Sequence, residues 1–123
     1  MKYKLNKRAN PQDRTQEKWY ASPVNEGKIT KSDITKEIVN YSSLSRGDVS
    51  NVIENVLDIV PKYLLMGKSV NLGEFGTLRL SLSSEGVDNP EDFKSNLIKG
   101  VRIIFTPGVE LKKSLGDIKF EKV

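Results

Sequence analysis

The chain has 123 residues, with 20 Lys and Arg against 16 Asp and Glu (net +4), and contains neither Cys nor His. That length fits one domain with a modest core. Without Cys there is no disulfide framework, thiolate nucleophile or zinc–thiolate site, and without His the usual general base and metal ligand are gone. No apolar run approaches the roughly 18 residues of a membrane helix, and the basic N-terminus is not followed by an apolar signal core. A cytoplasmic protein with no cofactor, membrane partner or small-molecule substrate is the expectation.

Residues 1–28 read as an N-terminal β extension. Tyr3 and Leu5 alternate with Lys2, Lys4 and Asn6, which predicts a short strand with one basic face. Asn10-Pro11-Gln12-Asp13 is turn chemistry, Lys18 to Ser22 a second strand stopped by Pro23, and Asn25-Glu26-Gly27 another turn. This segment holds seven Lys or Arg against three acids, so its net charge equals that of the whole chain. Two readings fit: lysines that protect a sheet edge, or a supplementary phosphate-binding surface. Trp19, the single Trp, reads as a packing anchor rather than a base-stacking platform.

Residues 29–123 read as a second unit. Thr30-Lys31-Ser32-Asp33 is a variant capping box that opens a first helix, with Ile34, Ile38 and Tyr41 on one face and Val39 beside them. Ser45-Arg46-Gly47-Asp48 opens a second helix. There Val49, Val52, Ile53, Val56, Leu57, Val60, Tyr63 and Leu64 follow helical spacing until Gly67, with Pro61 predicting a kink. This helix is too long and too apolar to read a DNA groove, and its stripe predicts a homodimer, because a short helix and a small sheet cover only part of it.

Val70 and Leu72, then Leu78, Leu80 and Leu82, alternate as strands around Gly73-Glu74-Phe75-Gly76, a tight turn expected to drive Phe75 into a core. Residues 84–93 carry four acids and no Lys or Arg. Within them Asn89, with Pro90 behind it, predicts a helical turn capped by Asn89. Val101, Ile103 and Phe105 form a strand able to pair with 77–83. After Pro107-Gly108 comes a short helix with Leu111 and Leu115 on one side, Lys112 and Lys113 on the other, and Gly116 as its C′ residue. Ile118 and Phe120 alternate toward a last edge strand that pairs with the N-terminal one.

Helix, longer helix, Gly-x-Phe-Gly turn and basic helix after Phe-x-x-Gly together resemble the HU and integration-host-factor family of bacterial histone-like DNA-binding proteins. The resemblance covers about residues 30–115. It rests on Thr30-Lys31-Ser32-Asp33-Ile34, on Leu72-Gly73-Glu74-Phe75-Gly76-Thr77-Leu78 and on Phe105-Thr106-Pro107-Gly108-Val109-Glu110-Leu111-Lys112. The flanks are similar to longer HU-like proteins with an N-terminal β extension. The resemblance implies an α+β fold: two N-terminal helices, an antiparallel β-sheet saddle, a short C-terminal helix, and here extra N- and C-terminal strands. It further implies a homodimeric, non-sequence-specific, nucleoid-associated partner of double-stranded DNA. Family phosphate contacts carry over to Lys31 and Lys112, while one basic position falls on Val109 and is lost.

The candidate DNA-binding set is Lys31, Arg79, Lys94, Lys99, Arg102, Lys112 and Lys113. Relatives push an Arg-rich β arm into the minor groove with a Pro wedge at its tip; the matching Gly86 to Asp92 keeps Asn89-Pro90 but is acidic, which predicts a poor wedge. An enzyme is not expected. There is no dinucleotide fingerprint, Gly67-Lys68-Ser69 lies in the wrong helix-to-strand order for a P-loop, and the carboxylates of Asp33, Glu37, Asp48 and Asp58 are scattered along helices. The alternative is an HU-like dimeric protein-interaction module with weak or no DNA binding, its acidic loop holding a partner.

Overall fold

The computed structural model describes residues 1–123. The chain begins with β1 (Lys2–Ala9) and β2 (Glu17–Pro23), an antiparallel hairpin whose tip is closed by the Asn10 N–H donating to the Gln16 carbonyl at 2.8 Å. Two helices follow, α1 (Lys31–Asn40) and α2 (Arg46–Leu65). A second antiparallel sheet is built from β3 (Val70–Asn71), β4 (Gly76–Ser84) and β5 (Ile98–Pro107), in the order β3-β4-β5. Helix α3 (Val109–Ser114) comes next, and β6 (Glu121–Lys122) returns to pair in parallel with β1. Both chain ends therefore meet in one sheet, as the alternation at Ile118 and Phe120 suggested, although the final strand is only two residues long.

The helix starts follow from local hydrogen bonding. Thr30 Oγ1 accepts from the Asp33 N–H at 3.2 Å, and the Asp33 carboxylate accepts from the Thr30 N–H at 2.9 Å. Those bonds hold the Asp33 carboxyl below the usual aspartate range, the Thr30 backbone N–H being the larger cause and its hydroxyl the next. Ser45 and Asp48 repeat the reciprocal arrangement at α2. Helix α2 runs unbroken through Pro61. It ends in a Schellman motif, with the Lys68 N–H on the Tyr63 carbonyl and the Gly67 N–H on Leu64, while Gly67 takes φ 81°.

Packing divides the stripe of α2 in two. Val49 and Leu64 are buried, with Ile53 and Val60 half-buried on the same side. Beside them Val52, Val56, Ile59 and Tyr63 form a parallel stripe that the chain leaves open. On helix α1 the apolar face read from the sequence is not the one that meets α2. The side turned toward α2 carries Thr35 and Val39, while Ile34 and Ile38 are exposed and Tyr41 is 84% exposed. Thr35 tolerates burial because its hydroxyl donates to the Lys31 carbonyl at 2.9 Å.

Other expectations are revised too. Phe75 lies in a 3₁₀ turn, Gly73–Phe75, and is 57% exposed; it rests on Phe105 with ring centroids 5.2 Å apart instead of entering a core, because nothing in this chain walls its other side. Trp19 is 64% exposed, since no element of the chain packs over that face of the first sheet. Asn89 starts a 3₁₀ turn, Pro90–Asp92, through its carbonyl and not its side chain. Gly116 sits inside another 3₁₀ turn, Leu115–Asp117, with no positive φ, so it is not a left-handed C′ residue.

Candidate nucleic-acid interface

The register of β4 against β5 sorts side chains onto two faces, because directly opposed residues of an antiparallel pair point the same way. Leu78 opposes Phe105, Leu80 opposes Ile103 and Leu82 opposes Val101, which makes one face apolar. Thr77 opposes Thr106, Arg79 opposes Ile104, Ser81 opposes Arg102 and Ser83 opposes Gly100, which makes the other face polar and basic. Asn71 joins the polar face from β3, its side-chain N–H donating to Thr77 Oγ1 at 2.9 Å. Arg79 and Arg102 are thus diagonal neighbours on one surface, with Cα atoms about 7–8 Å apart. Both are exposed, and neither forms an ion pair within the chain.

The remaining candidate cations are distributed around this sheet. Lys112 and Lys113 lie on α3, which packs against the Gly73–Phe75 turn beside the Gly76–Pro107 end of the strands. Lys113 reaches Glu110 at 3.8 Å, whereas Lys112 has no carboxylate partner. Lys99 occupies the opposite end, at the irregularity where Ser83 pairs Gly100 but Ser84 pairs Ile98; it pairs with Glu85 at 3.4 Å. Lys94 precedes a 3₁₀ turn, Ser95–Leu97, and is unpaired. Lys31 stands apart from the sheet, at the first residue of α1, and its ammonium is ion-paired with Glu54 of α2. The structure therefore brings Arg79 and Arg102 together, sets Lys112 and Lys113 at one end of their strands and Lys94 and Lys99 near the other, and leaves Lys31 on the helical layer.

Where relatives of the resembled type would carry a β arm, this chain has a compact loop. The Glu85 N–H donates to the Leu97 carbonyl at 2.9 Å and closes it, and two 3₁₀ turns fill the interval. Glu85, Asp88, Glu91 and Asp92 make it acidic.

Two glycines, one read from the sequence as part of a tight turn and the other as the residue before a helix, lie where α3 meets the sheet. A Cβ on Gly108 would lie 2.0 Å from the Glu74 carbonyl oxygen, and the Gly108 N–H donates to Phe75 at 3.0 Å. At Gly76, φ is 149° and a Cβ would lie 2.5 Å from both the Phe105 ring and the Thr106 carbonyl oxygen. The backbone thus closes tightly where turn, strand and helix meet.

Comparison with known proteins agrees with this geometry. A family model described as an HU domain fused to wHTH, Ig, or Glycine-rich motif matches residues 1–122. Integration host factor subunit alpha of Haemophilus influenzae is 34% identical over 93 residues, covering 74% of this chain and 97% of the relative. The protein of the same name from Vibrio atlanticus is 30% identical over 96 residues, covering 76% and 98%. Among solved structures, a candidate bacterial DNA-binding protein from Bacteroides vulgatus superposes with a TM-score of 0.62 at 17% identity. That match takes in 99% of this chain, which spans only 48% of the solved one, so it speaks for the fold alone. No helix of the present chain is long and apolar enough to cross a membrane. With its α-α-β-β-β-α order over α1 to α3, its glycine-locked turn and these matches, the chain belongs to the HU/IHF-like family of histone-like DNA-binding proteins.

Proposed function

We propose that this protein binds duplex DNA as a homodimer, with little sequence preference, across the polar face of the β3-β4-β5 sheet, acting as a nucleoid-associated protein of the bacterial cytoplasm. The observation that supports this most is the pairing of Arg79 and Arg102 on one exposed face with no carboxylate to neutralise them. Apart from Ile104 and Gly100, the rest of that face is threonine, serine and asparagine, a composition suited to phosphate and sugar contacts that fix position without reading sequence. Lys112 and Lys94 extend the basic track. Lys31, Lys99 and Lys113 join it by exchanging exposed ion pairs, which are worth roughly 0–1 kcal/mol each, for phosphate. The division into an N-terminal β extension over 1–28 and an HU-like unit over 29–123 belongs to the same reading, with the closing strand tying the two together.

Affinity for a mixed-sequence duplex, measured at several salt concentrations, tests it. Log affinity is expected to fall linearly with log salt, each phosphate contact adding about 0.9 to the slope. Arg79→Ala with Arg102→Ala should lower that slope by about 2 and weaken unrelated duplexes equally, with an unchanged melting temperature. Hundredfold discrimination between unrelated duplexes of equal length would sink the non-specific reading. No salt-dependent binding at all would leave the protein-interaction module, which the acidic loop favours.

That loop carries a second expectation. Unstacking a base step costs a few kcal/mol, recovered in wedge proteins through added contacts. Four carboxylates around Pro90 offer the phosphates none. Fluorescence energy transfer across an end-labelled duplex should therefore show the same bend with wild type and Pro90→Ala, while Glu91→Lys with Asp92→Lys should raise affinity. A large wild-type bend that collapses in Pro90→Ala would establish a working wedge.

A further inference from the structure

The N-terminal sheet has its own segregation of charge. In the β1–β2 register Lys4 opposes Ser22, Asn6 opposes Tyr20 and Arg8 opposes Lys18, so these residues share one face with Lys2. That face carries four cations, and the one carboxylate its strands add is Glu121 of β6, which opposes Lys2 at the end of the sheet away from Arg8 and Lys18. The sheet's one acid in β1 and β2, Glu17, points to the other side and is paired there with Lys7 at 3.3 Å. On the basic face only Lys2 has a carboxylate partner, Glu26 of the following linker.

Arg8 directly opposite Lys18 is the informative feature. Like charges facing each other across a β ladder destabilise it, and no acid lies between these two to offset the repulsion. Edge protection is served equally well by single lysines with neutral or acidic neighbours. The arrangement lowers the stability of the free hairpin and is relieved by an anion lying across both strands. The Arg8 guanidinium stacks on Tyr20, 4.9 Å from the ring centroid, which holds it along the sheet surface. Residues on one face recur roughly every 7 Å along a strand, so Lys4 and Arg8 span about 13 Å and together with Lys18 address several phosphates of a polyanion and not a single small one.

We propose that this face, through Lys4, Arg8 and Lys18, is a second duplex-DNA phosphate-binding surface that lengthens the footprint beyond the β3-β4-β5 sheet. This rests on the DNA-binding reading above. The test uses the full chain and a long mixed-sequence duplex. Lys4→Gln with Arg8→Gln and Lys18→Gln is expected to lower the salt slope by about 2–3 and to weaken binding at least tenfold at moderate salt. Its melting temperature should be unchanged or raised, because the Arg8–Lys18 repulsion is removed. A control triple, Lys36→Gln with Lys62→Gln and Lys68→Gln, removes equal charge elsewhere and should move the slope by less than 1. Equal effects of the two triples, or an unchanged slope in the N-terminal triple while Arg79→Ala with Arg102→Ala still lowers it, would overturn the second surface and leave the first. Absence of duplex binding by the wild type would overturn both.

Discussion

Val56→Asp is expected to unfold the protein, not merely to split it into folded monomers. In the single chain Val56 is 44% exposed. If that chain were the finished fold, a carboxylate there would meet water and change stability by at most about 0.5 kcal/mol, as surface substitutions do. The rest of the molecule argues otherwise. A compact monomer of 13.8 kDa exposes about 6,600 Å² by the usual scaling, yet this chain exposes 10483 Å². Many apolar residues stand uncovered. Val52, Val56, Ile59 and Tyr63 line α2, Ile34, Ile38 and Tyr41 line α1, and Leu82, Val101 and Ile103 lie on the apolar face of the second sheet. Only two large apolar residues, Val49 and Leu64, are buried.

Burying each of the open side chains contributes roughly 1.5–3 kcal/mol, so a second copy that covers several of them supplies stability the single chain lacks. An unpaired carboxylate placed in such an interface would cost several kcal/mol, and an obligate dimer has no stable monomer to fall back on. Sedimentation equilibrium at micromolar concentration should give about twice 13.8 kDa for the wild type, and circular dichroism should show loss of helix in Val56→Asp. A Val56→Asp chain that keeps its helices and melts like wild type would mean that the stripe faces solvent. The Haemophilus and Vibrio relatives are each named as a subunit; a wild type that stays monomeric until a different chain is added would replace the homodimer with a heterodimer.

What could be read from the sequence was what short-range physics decides. The capping pairs Thr30–Asp33 and Ser45–Asp48 and the stop at Gly67 involve atoms within five residues of one another, and each forms as its spacing requires. The pairing of 77–83 with the later strand follows from matching alternation, Leu78, Leu80 and Leu82 against Phe105, Ile103 and Val101. Periodicity marks an apolar stripe without saying which neighbour covers it. That is why Ile34, Ile38 and Tyr41 stood out on α1, although Thr35 and Val39 are the residues turned toward α2. The candidate site divides the same way. Arg79 and Arg102 were visible as cations, but their adjacency is a property of register, and the pairing of Lys31 with Glu54 depends on how two helices pack. Alternation puts both arginines on the face opposite the leucines, but no spacing rule foretells that they are diagonal neighbours or that Lys31 meets Glu54. Gly108 was legible only as the residue before a helix.

Gly108→Ala should be, with Gly76→Ala, one of the two most damaging glycine-to-alanine changes in the chain. The φ of Gly108 is −70°, which alanine adopts freely, so backbone strain is not the cause. The obstacle is contact: the new Cβ would stand 2.0 Å from the Glu74 carbonyl oxygen and 2.7 Å from its carbon, both backbone atoms with no rotamer to yield. Relief requires α3 to retreat from the Gly73–Phe75 turn. That retreat stretches the 3.0 Å bond from the Gly108 N–H to Phe75 and moves the first bond of α3, from Lys112 to the Gly108 carbonyl. Overpacking of this kind costs about 1–3 kcal/mol, read as a fall of several degrees in melting temperature. Because Lys112 rides on α3, duplex affinity should fall with it. Gly116→Ala is the matched control: its added Cβ meets nothing within 4 Å, and its φ is not positive, so its melting temperature should hold or rise slightly. Equal melting temperatures for Gly108→Ala and wild type would show that α3 can move outward without cost, and that the close approach at Gly108 does not fix the basic helix against the sheet.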